Sequence, residues 1–536
     1  MSAAAAPLPL SIQRTAGWAL VAGIVLASLT EAIAGTAFAL GRSDAIGDIH
    51  ATPDEFAWLD ISYIGLKLIG FALTPWLLTR VQPRSVLLGA TLAMGAACAL
   101  AAFVARLDAL IVLRALQGLS GAALLVSGQT ILFLTWPARR QPLLQALFAI
   151  GAVVAPATLA PALQGWLIDS QSWTWIFFAV LPVALLAAGL IVMSDPIPLP
   201  GDNPRSLDWP GLLLLAAVLL VTTWLLNQGS RWDWFETELI SWLAFAAVAG
   251  AGLFLLHQTF VASDPLLDTS VFGDDDFTFA FAVSFVAGAA LFGSAFLIPA
   301  FAVSVLGLTP SEAGQLLFPS GALFVAALFL SAWLVQARGA SPVATVPVGI
   351  LMVMVAMWML SSSAGDSGPQ DMMPAILIRG LGLGFLFLSI TLIAFSRLPV
   401  AGVASGIGIF SIGRQLGGLI GVAGLQTVID HQVISNHAAL GAALNPGSPA
   451  LVERLASTTS LLIARGVDPA VAASTAASML GRSVRGQATI LAFDTAFALI
   501  ALLFVVAAPM LVAFKIFLAR RAARRLRTQQ RLREDR

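Results

Sequence analysis

Apolar residues along this 536-residue chain gather into long, nearly uninterrupted runs separated by short polar segments. A helix needs about 20 residues to cross about 30 Å of hydrocarbon. Fourteen runs reach that length: 16–40, 56–79, 85–105, 107–135, 142–168, 173–194, 208–227, 238–259, 278–305, 311–336, 341–362, 373–396, 402–428 and 488–515. The pattern predicts an all-α integral membrane protein with fourteen transmembrane helices. An even number of crossings puts both termini on one side.

Seven charges lie inside these runs, away from their ends: Glu31 in helix 1, Asp60 and Lys67 in helix 2, Arg114 in helix 4, Arg379 in helix 12, Arg414 in helix 13 and Asp494 in helix 14. A charge at mid-bilayer costs about 2.5 to 3.5 kcal/mol even on the lenient insertion scale, so such side chains face a partner or a water-filled cavity. With helix 1 running outward and helices 2 and 4 inward, Glu31, Lys67 and Arg114 fall at similar depths and can meet. Asp60 and Lys67 share a face of helix 2 but stand about two turns apart, too far for a tight direct pair. Two readings of Glu31 remain open: a proton-binding carboxylate tuned by burial and nearby cations, or a permanent ion pair that fixes packing.

Composition agrees with the membrane reading. Hydrophobic residues make up 59% and charged residues 10%, with mean hydropathy +0.91, whereas soluble domains carry about 25% charged residues. The single cysteine, Cys98, has no partner for an intramolecular disulfide. The first apolar run is too long for the core of a cleaved signal sequence, so helix 1 is expected to be retained.

Orientation follows from Lys and Arg in short loops. With the N-terminus inside, the inner segments hold Arg14, Arg80, Arg84, Arg139, Arg140, Arg205, Arg338 and Arg397, and the tail from Lys515 adds nine positive residues. The short outer loops hold Arg42, Arg106 and Arg231. Both termini are therefore expected to be cytoplasmic, and the basic tail reads as a topological anchor against the lipid bilayer rather than a nucleic-acid site.

One loop is long, residues 429–487 on the outer side. Ser448-Pro449 and Asp468-Pro469 stand as N-cap and N1 pairs, predicting a helical hairpin outside the membrane. In helix 5, Pro156 and Pro161 predict a bend, as a static kink or a moving hinge. Lys67 and Lys515 follow Leu66 and Phe514, so no phosphate-cradling Gly-Lys-Ser/Thr loop exists. No histidine lies mid-membrane, which argues against an enzyme, a catalytic site or a metal site. "IRGLGLGFLF" at 378–387 is glycine-rich inside an apolar helix and reads as close helix packing.

Several segments resemble the major facilitator superfamily, in its fourteen-helix drug:proton antiporter branch of EmrB/QacA type. "LIVLRALQGLSGAAL" at 110–124 is similar to that branch's helix 4 motif, here with Arg114, Gln117, Gly118 and Gly121. "SWTWIFFAVLP" at 172–182 resembles the segment opening helix 6, and "ASGIGIFSIGRQLGGLIG" at 404–421 the Arg-containing stretch of the penultimate helix. The chain also departs from the pattern. The loop after helix 2 keeps Arg80 and Arg84 but has Pro75 for glycine and Thr79 for aspartate. The helix 5 antiporter motif reads "APALQG" at 160–165, retaining Pro161 and Gly165, with Ala160 and Gln164 replacing glycines. In helix 1 the branch's aspartate is replaced by Thr30, and Glu31 follows it; Lys67 stands where the branch has a neutral residue.

The resemblance implies two six-helix bundles with two inserted central helices. Its division of the chain is a cytoplasmic N-terminus (1–15), an N-terminal bundle (16–194), a linker with helices 7 and 8 (195–277), a C-terminal bundle (278–515) that includes the outer hairpin loop, and a basic cytoplasmic tail (516–536). It implies export of small hydrophobic or amphipathic compounds by alternating access in the inner membrane, driven by a proton gradient and needing no cofactor. Glu31, Lys67, Arg114 and Asp60 are then candidates for proton coupling, and Gln117, Gln129, Arg379 and Arg414 for the substrate cavity, while Asp494 is structural. By the same resemblance the outer hairpin docks a periplasmic adaptor leading to an outer-membrane channel. A facilitator or importer without proton coupling, supported by the degenerate helix 5 motif, and a non-transporting scaffold or sensor subunit remain as alternatives.

Overall fold

The computed structural model describes residues 10–194, 206–365, 367–445 and 447–534; Arg205, Arg536 and most of the N-terminal segment 1–15 lie outside them. Among the described residues there is no strand. Fourteen helical spans are long and apolar enough to cross a membrane: α1 (Gly17–Gly35), α2 (Pro53–Leu77), α3 (Pro83–Ala101), α4 (Leu107–Thr135), α5 (Ala138–Ser170), α6 (Thr174–Val192), α7 (Trp209–Gln228), α8 (Glu238–Phe260), α9 (Asp275–Ser304), α10 (Pro310–Arg338), α11 (Pro342–Leu360), α12 (Pro369–Phe395), α13 (Val400–Ala443) and α14 (Pro469–Arg521). With fourteen spans, α1 begins and α14 ends on one face, the terminal face.

Local chemistry sets where the helices start. Thr52 opens α2 through a capping box, its hydroxyl accepting from the Glu55 amide at 3.3 Å while Glu55 accepts from the Thr52 amide at 2.8 Å. Thr309 and Glu312 repeat the device at α10. Asp208 caps α7 and Asp274 caps α9. Pro53, Pro83, Pro310 and Pro369 occupy first helical positions, where a missing N–H leaves no bond unmade.

Some bounds differ from the hydrophobic runs. Helix α1 stops at Gly35 rather than near residue 40, and a separate short helix, Arg42–Ile49, follows. Pro319 coincides with a break in α10, between Pro310–Leu316 and Phe318–Arg338. Helix α13 runs to Ala443 and α14 starts at Pro469, well beyond their apolar runs, because alanine-rich sequence with polar residues among it still propagates helix. Between them lies the helix Pro449–Ala464. The second helix of the outer segment is thus not separate but the first part of α14, which continues past its apolar portion as helix to Glu534.

Helices α1–α6 pack together, as do α9–α14. Glycines set the closest approaches, and the two halves reuse them. An added Cβ on Gly118 of α4 would lie 2.1 Å from the Tyr63 carbonyl oxygen of α2, and one on Gly70 would lie 2.7 Å from Ala122 Cβ. In the second half, a Cβ on Gly380 of α12 would lie 2.3 Å from the Ser320 carbonyl oxygen of α10, and one on Gly384 would lie 2.4 Å from Ala327 Cβ. The halves meet along two seams. In one, α5 and α10 interlock: a Cβ on Gly165 would reach the Pro310 carbonyl oxygen at 2.2 Å, and one on Gly314 the Pro161 carbonyl oxygen at 2.4 Å. In the other, a Cβ on Gly408 of α13 would lie 2.4 Å from the Phe71 carbonyl oxygen of α2. Helix α7 lies against α2 beside the α2/α13 seam, and α8 packs on α7.

Candidate functional site

Glu31 of α1 is the centre of the first bundle's charged interior. It is 3% exposed, and its Oε1 accepts both the Lys67 ammonium and the Tyr63 hydroxyl of α2, the latter at 2.9 Å. Room for this group comes from two glycines. A Cβ on Gly121 of α4 would lie 2.9 Å from Glu31 Cγ, and one on Gly35 would lie 2.8 Å from the Tyr63 hydroxyl. The Lys67 ammonium also sits 5.7 Å and 5.9 Å from the ring centres of Tyr63 and Phe71.

Arg114 forms a second layer toward the face opposite the termini. Its Nη1 donates to the Ala34 carbonyl at 2.7 Å and to Gln117 Oε1 at 3.0 Å, and its plane lies 4.2 Å from the Tyr63 ring centre. The bond to Ala34 adds a charged donor to a carbonyl in the last turn of α1 that also accepts from the Ala37 amide at 3.3 Å. Asp60 stands 3.9 Å from Arg114 Nη2 and 3.5 Å from Arg42. Glu31, Lys67, Arg114, Gln117 and Asp60 thus converge, and Asp60 and Lys67 are bridged through Arg114 and Tyr63 rather than paired.

Other candidates lie elsewhere. Gln129 donates to Gln145 of α5 at 3.0 Å, and Gln145 to Gln141 at 3.2 Å, a ladder that ties α4 to α5 near the terminal face. Pro156 sits inside a π-helical stretch, Ile150–Leu159, and Pro161 follows in the next α-helical turn. The wider turn accommodates the missing Pro N–H, so the prolines coincide with a local change of helix type. Gln164, in place of a glycine, donates to the Ile33 carbonyl at 3.1 Å and to Thr36 Oγ1 at 2.7 Å, fastening α5 to α1. Arg84 donates to the Ile191 and Val192 carbonyls at 3.1 Å and 2.7 Å, closing the C-terminal end of α6, and Arg80 lies 5.0 Å from the Trp76 ring.

In the second bundle, Arg379 is 0% exposed and its Nε donates to Ser294 of α9 at 2.7 Å. Arg414 of α13 lies within electrostatic reach of Glu31 across the interface between the halves. Asp494 has a buried carboxylate oxygen without a hydrogen-bond partner among the described residues.

Sequence reasoning passed over Tyr63, although it lies one turn from both Asp60 and Lys67 on the same face of α2. It also missed the loop between α7 and α8. There Arg231 pairs with Asp54 of α2 at 2.5 Å, Ser230 donates to Asp430 of α13 at 2.6 Å, and Trp234 donates to Thr427 at 2.8 Å. This loop straps the two halves together on the face opposite the termini. Near the terminal face, Phe133 of α4 stacks edge-on against Phe395 of α12 with ring centres 5.2 Å apart. The halves therefore touch at both ends of the interface.

A two-bundle, fourteen-span helical protein with buried ion pairs along its central helices has the architecture of a secondary transporter. Residues 20–422 match the Major Facilitator Superfamily, and the chain belongs to that family. It is 26% identical over 497 residues to the "Colistin resistance protein EmrB" of Acinetobacter baumannii, covering 92% of this chain and 95% of that one. It is 25% identical over 403 residues to the "Multidrug export protein EmrB" of Escherichia coli K12, covering 75% and 78% respectively. A solved structure of the peptide transporter POT superposes with TM-score 0.55 at 15% identity over 93% of this chain and 95% of that one, a likeness of fold.

Proposed function

We propose that this protein exports small hydrophobic or amphipathic compounds across the inner membrane by proton antiport, its two bundles rocking about the central interface. Support for export comes from the EmrB relatives, named for colistin resistance and multidrug export, which span most of the chain. Support for coupling comes from one observation: a buried Glu31 oxygen that holds an ammonium and a phenol at once. Protonating Glu31 cancels its attraction for Lys67, so the bond between α1 and α2 weakens when the proton arrives and reforms when it leaves. Arg114, held by Ala34 and Gln117, stays as a fixed positive charge beside this exchange. The contacts at both ends of the interface are those that each half-cycle must part.

Lys and Arg distribution supports cytoplasmic termini. The extended α13, the helix Pro449–Ala464 and the start of α14 then form the outer surface suited to a periplasmic adaptor. Deleting residues 445–485 should abolish adaptor co-purification while leaving membrane insertion intact; undiminished co-purification removes this role.

Coupling is tested in proteoliposomes carrying an inward-acid pH gradient. Glu31→Gln and Lys67→Met should each abolish substrate-induced collapse of the gradient while the protein stays folded. A collapse of wild-type size in Lys67→Met reduces the pair to packing. A facilitator reading is favoured by Gln164, whose bonds clamp α5 where the antiporter pattern has glycine. Transport without any proton movement in the wild type would establish it.

A further inference from the structure

The charged interior is balanced in one half and unbalanced in the other. In the first bundle Lys67 holds Glu31, and Arg114 has Asp60 at 3.9 Å. In the second bundle Arg379 has only Ser294, which leaves both of its Nη atoms buried without a hydrogen-bond partner among the described residues. Arg414 makes no hydrogen bond or ion pair with any described residue, and Asp494 pairs with neither arginine.

Arg414 is also placed where cargo would pass. Gly408, six residues before it, touches the Phe71 carbonyl, and Phe71 lies four residues after Lys67 on the antiparallel α2. At about 1.5 Å per residue, Arg414 and Lys67 therefore sit about 9 Å and 6 Å from that crossing in the same direction, at nearly one depth. Apolar surface flanks the arginine: Phe281 and Phe292 of α9 lie directly against Gly413 and Gly418. Glu31, the carboxylate within its electrostatic reach, already holds Lys67 and Tyr63, so the guanidinium has no hydrogen-bonded counter-ion of its own, and its planar fork fits an oxyanion with two parallel hydrogen bonds.

We propose that Arg414 binds the anionic group of the transported compound, so that the cargo is an amphipathic organic acid whose apolar body lies against the α9 phenylalanines. This rests on the export reading and names the substrate class for the same interface. Arg379 adds positive field from within the second bundle, and a cationic amphiphile meets the like charge of Arg414, which disfavours it.

The test is equilibrium binding to the full-length protein in zwitterionic lipid nanodiscs, with no gradient present. The probes are 11-(dansylamino)undecanoate, its methyl ester, and the matching trimethylammonium compound, read by energy transfer from tryptophan against protein-free discs. The wild type should bind the acid at least about tenfold more tightly than either other probe, as expected for one charge-assisted hydrogen-bonded pair. Arg414→Gln should remove that preference and Arg414→Lys retain part of it. Equal or tighter binding of the ester or the ammonium by the wild type overturns the proposal, as does an unchanged preference in Arg414→Gln. Should Arg414→Gln not fold, the wild-type and Arg414→Lys comparison decides: a preference for the acid in the wild type that falls in Arg414→Lys supports the proposal, and one equal in both overturns it. Loss of proton coupling with the acid preference intact would remove the antiport reading alone.

Discussion

Lys67 would be costly in lipid and is accommodated because Glu31, Tyr63 and two ring faces surround it. Its neighbourhood depends on the backbone of α2 lying almost on that of α4. Gly118 makes this possible, since any Cβ there would lie 2.1 Å from the Tyr63 carbonyl oxygen. The contacting atom is backbone, so it cannot step aside as a side-chain tip can. Gly118→Ala should therefore lower thermal stability by about 1 to 3 kcal/mol and lower transport with it. Gly89, which has nothing within 4 Å of an added Cβ, is the control: Gly89→Ala should be neutral by the same melting assay. Of this site, the charges were legible in the sequence, because an ionised residue inside an apolar run stands out. Tyr63 was not, because a tyrosine in such a run is ordinary until its hydroxyl is seen to end on a carboxylate.

At the scale of elements, the α7–α8 pair is fastened near the terminal face by Asp208. Its carboxylate accepts from the Gly211 amide at 2.9 Å, from Gln258 at 2.7 Å, and meets His257 at 2.8 Å. Burial pushes the Asp208 carboxyl up, but hydrogen bonds from His257, Gly211 and Gln258 outweigh it and hold the group below its ordinary value of 3.8. A depressed carboxyl stabilises the fold above its unfolded pKa and loses that contribution as the pH falls through its folded value. Asp208→Ala should thus cost about 1 kcal/mol or more near neutrality, as for loss of a helix cap. The deficit against the wild type should shrink below about pH 4 in melting experiments; a deficit constant with pH would show that the cap alone matters. Span existence and order were legible here because a bilayer-length apolar run is unambiguous. The ends of α13 and α14 were not, because hydropathy reports contact with lipid, whereas helix propagation follows backbone propensity and continues into water.

At the scale of the whole molecule, α7 and α8 are more than spacers between bundles. Their connecting loop joins Asp54 of the first half to Thr427 and Asp430 of the second. Opening the interface on that face must part at least one of these contacts. Ser230→Cys with Asp430→Cys should form a disulfide under oxidation that stops transport, and reductant should restore it. The native Cys98 is buried and leaves the pair unconfounded. Full transport in the cross-linked protein would show that the strap moves with α13 rather than against it.

The sequence by itself determined that the chain crosses a membrane fourteen times, which interior residues are charged, and which family motifs it carries. These follow from transfer energies of single residues and from local backbone chemistry, and both are encoded within a few turns of helix. Only the tertiary structure decided that Glu31 takes Lys67 and Tyr63 on one oxygen, that Gln129 belongs to a glutamine ladder, and that Arg414 makes no hydrogen bond or ion pair among the described residues. Each of those outcomes depends on helix rotation and on glycine-set distances between helices far apart in the chain. Hydropathy is nearly blind to rotation in helices apolar on every side, so pairing across them is settled by packing.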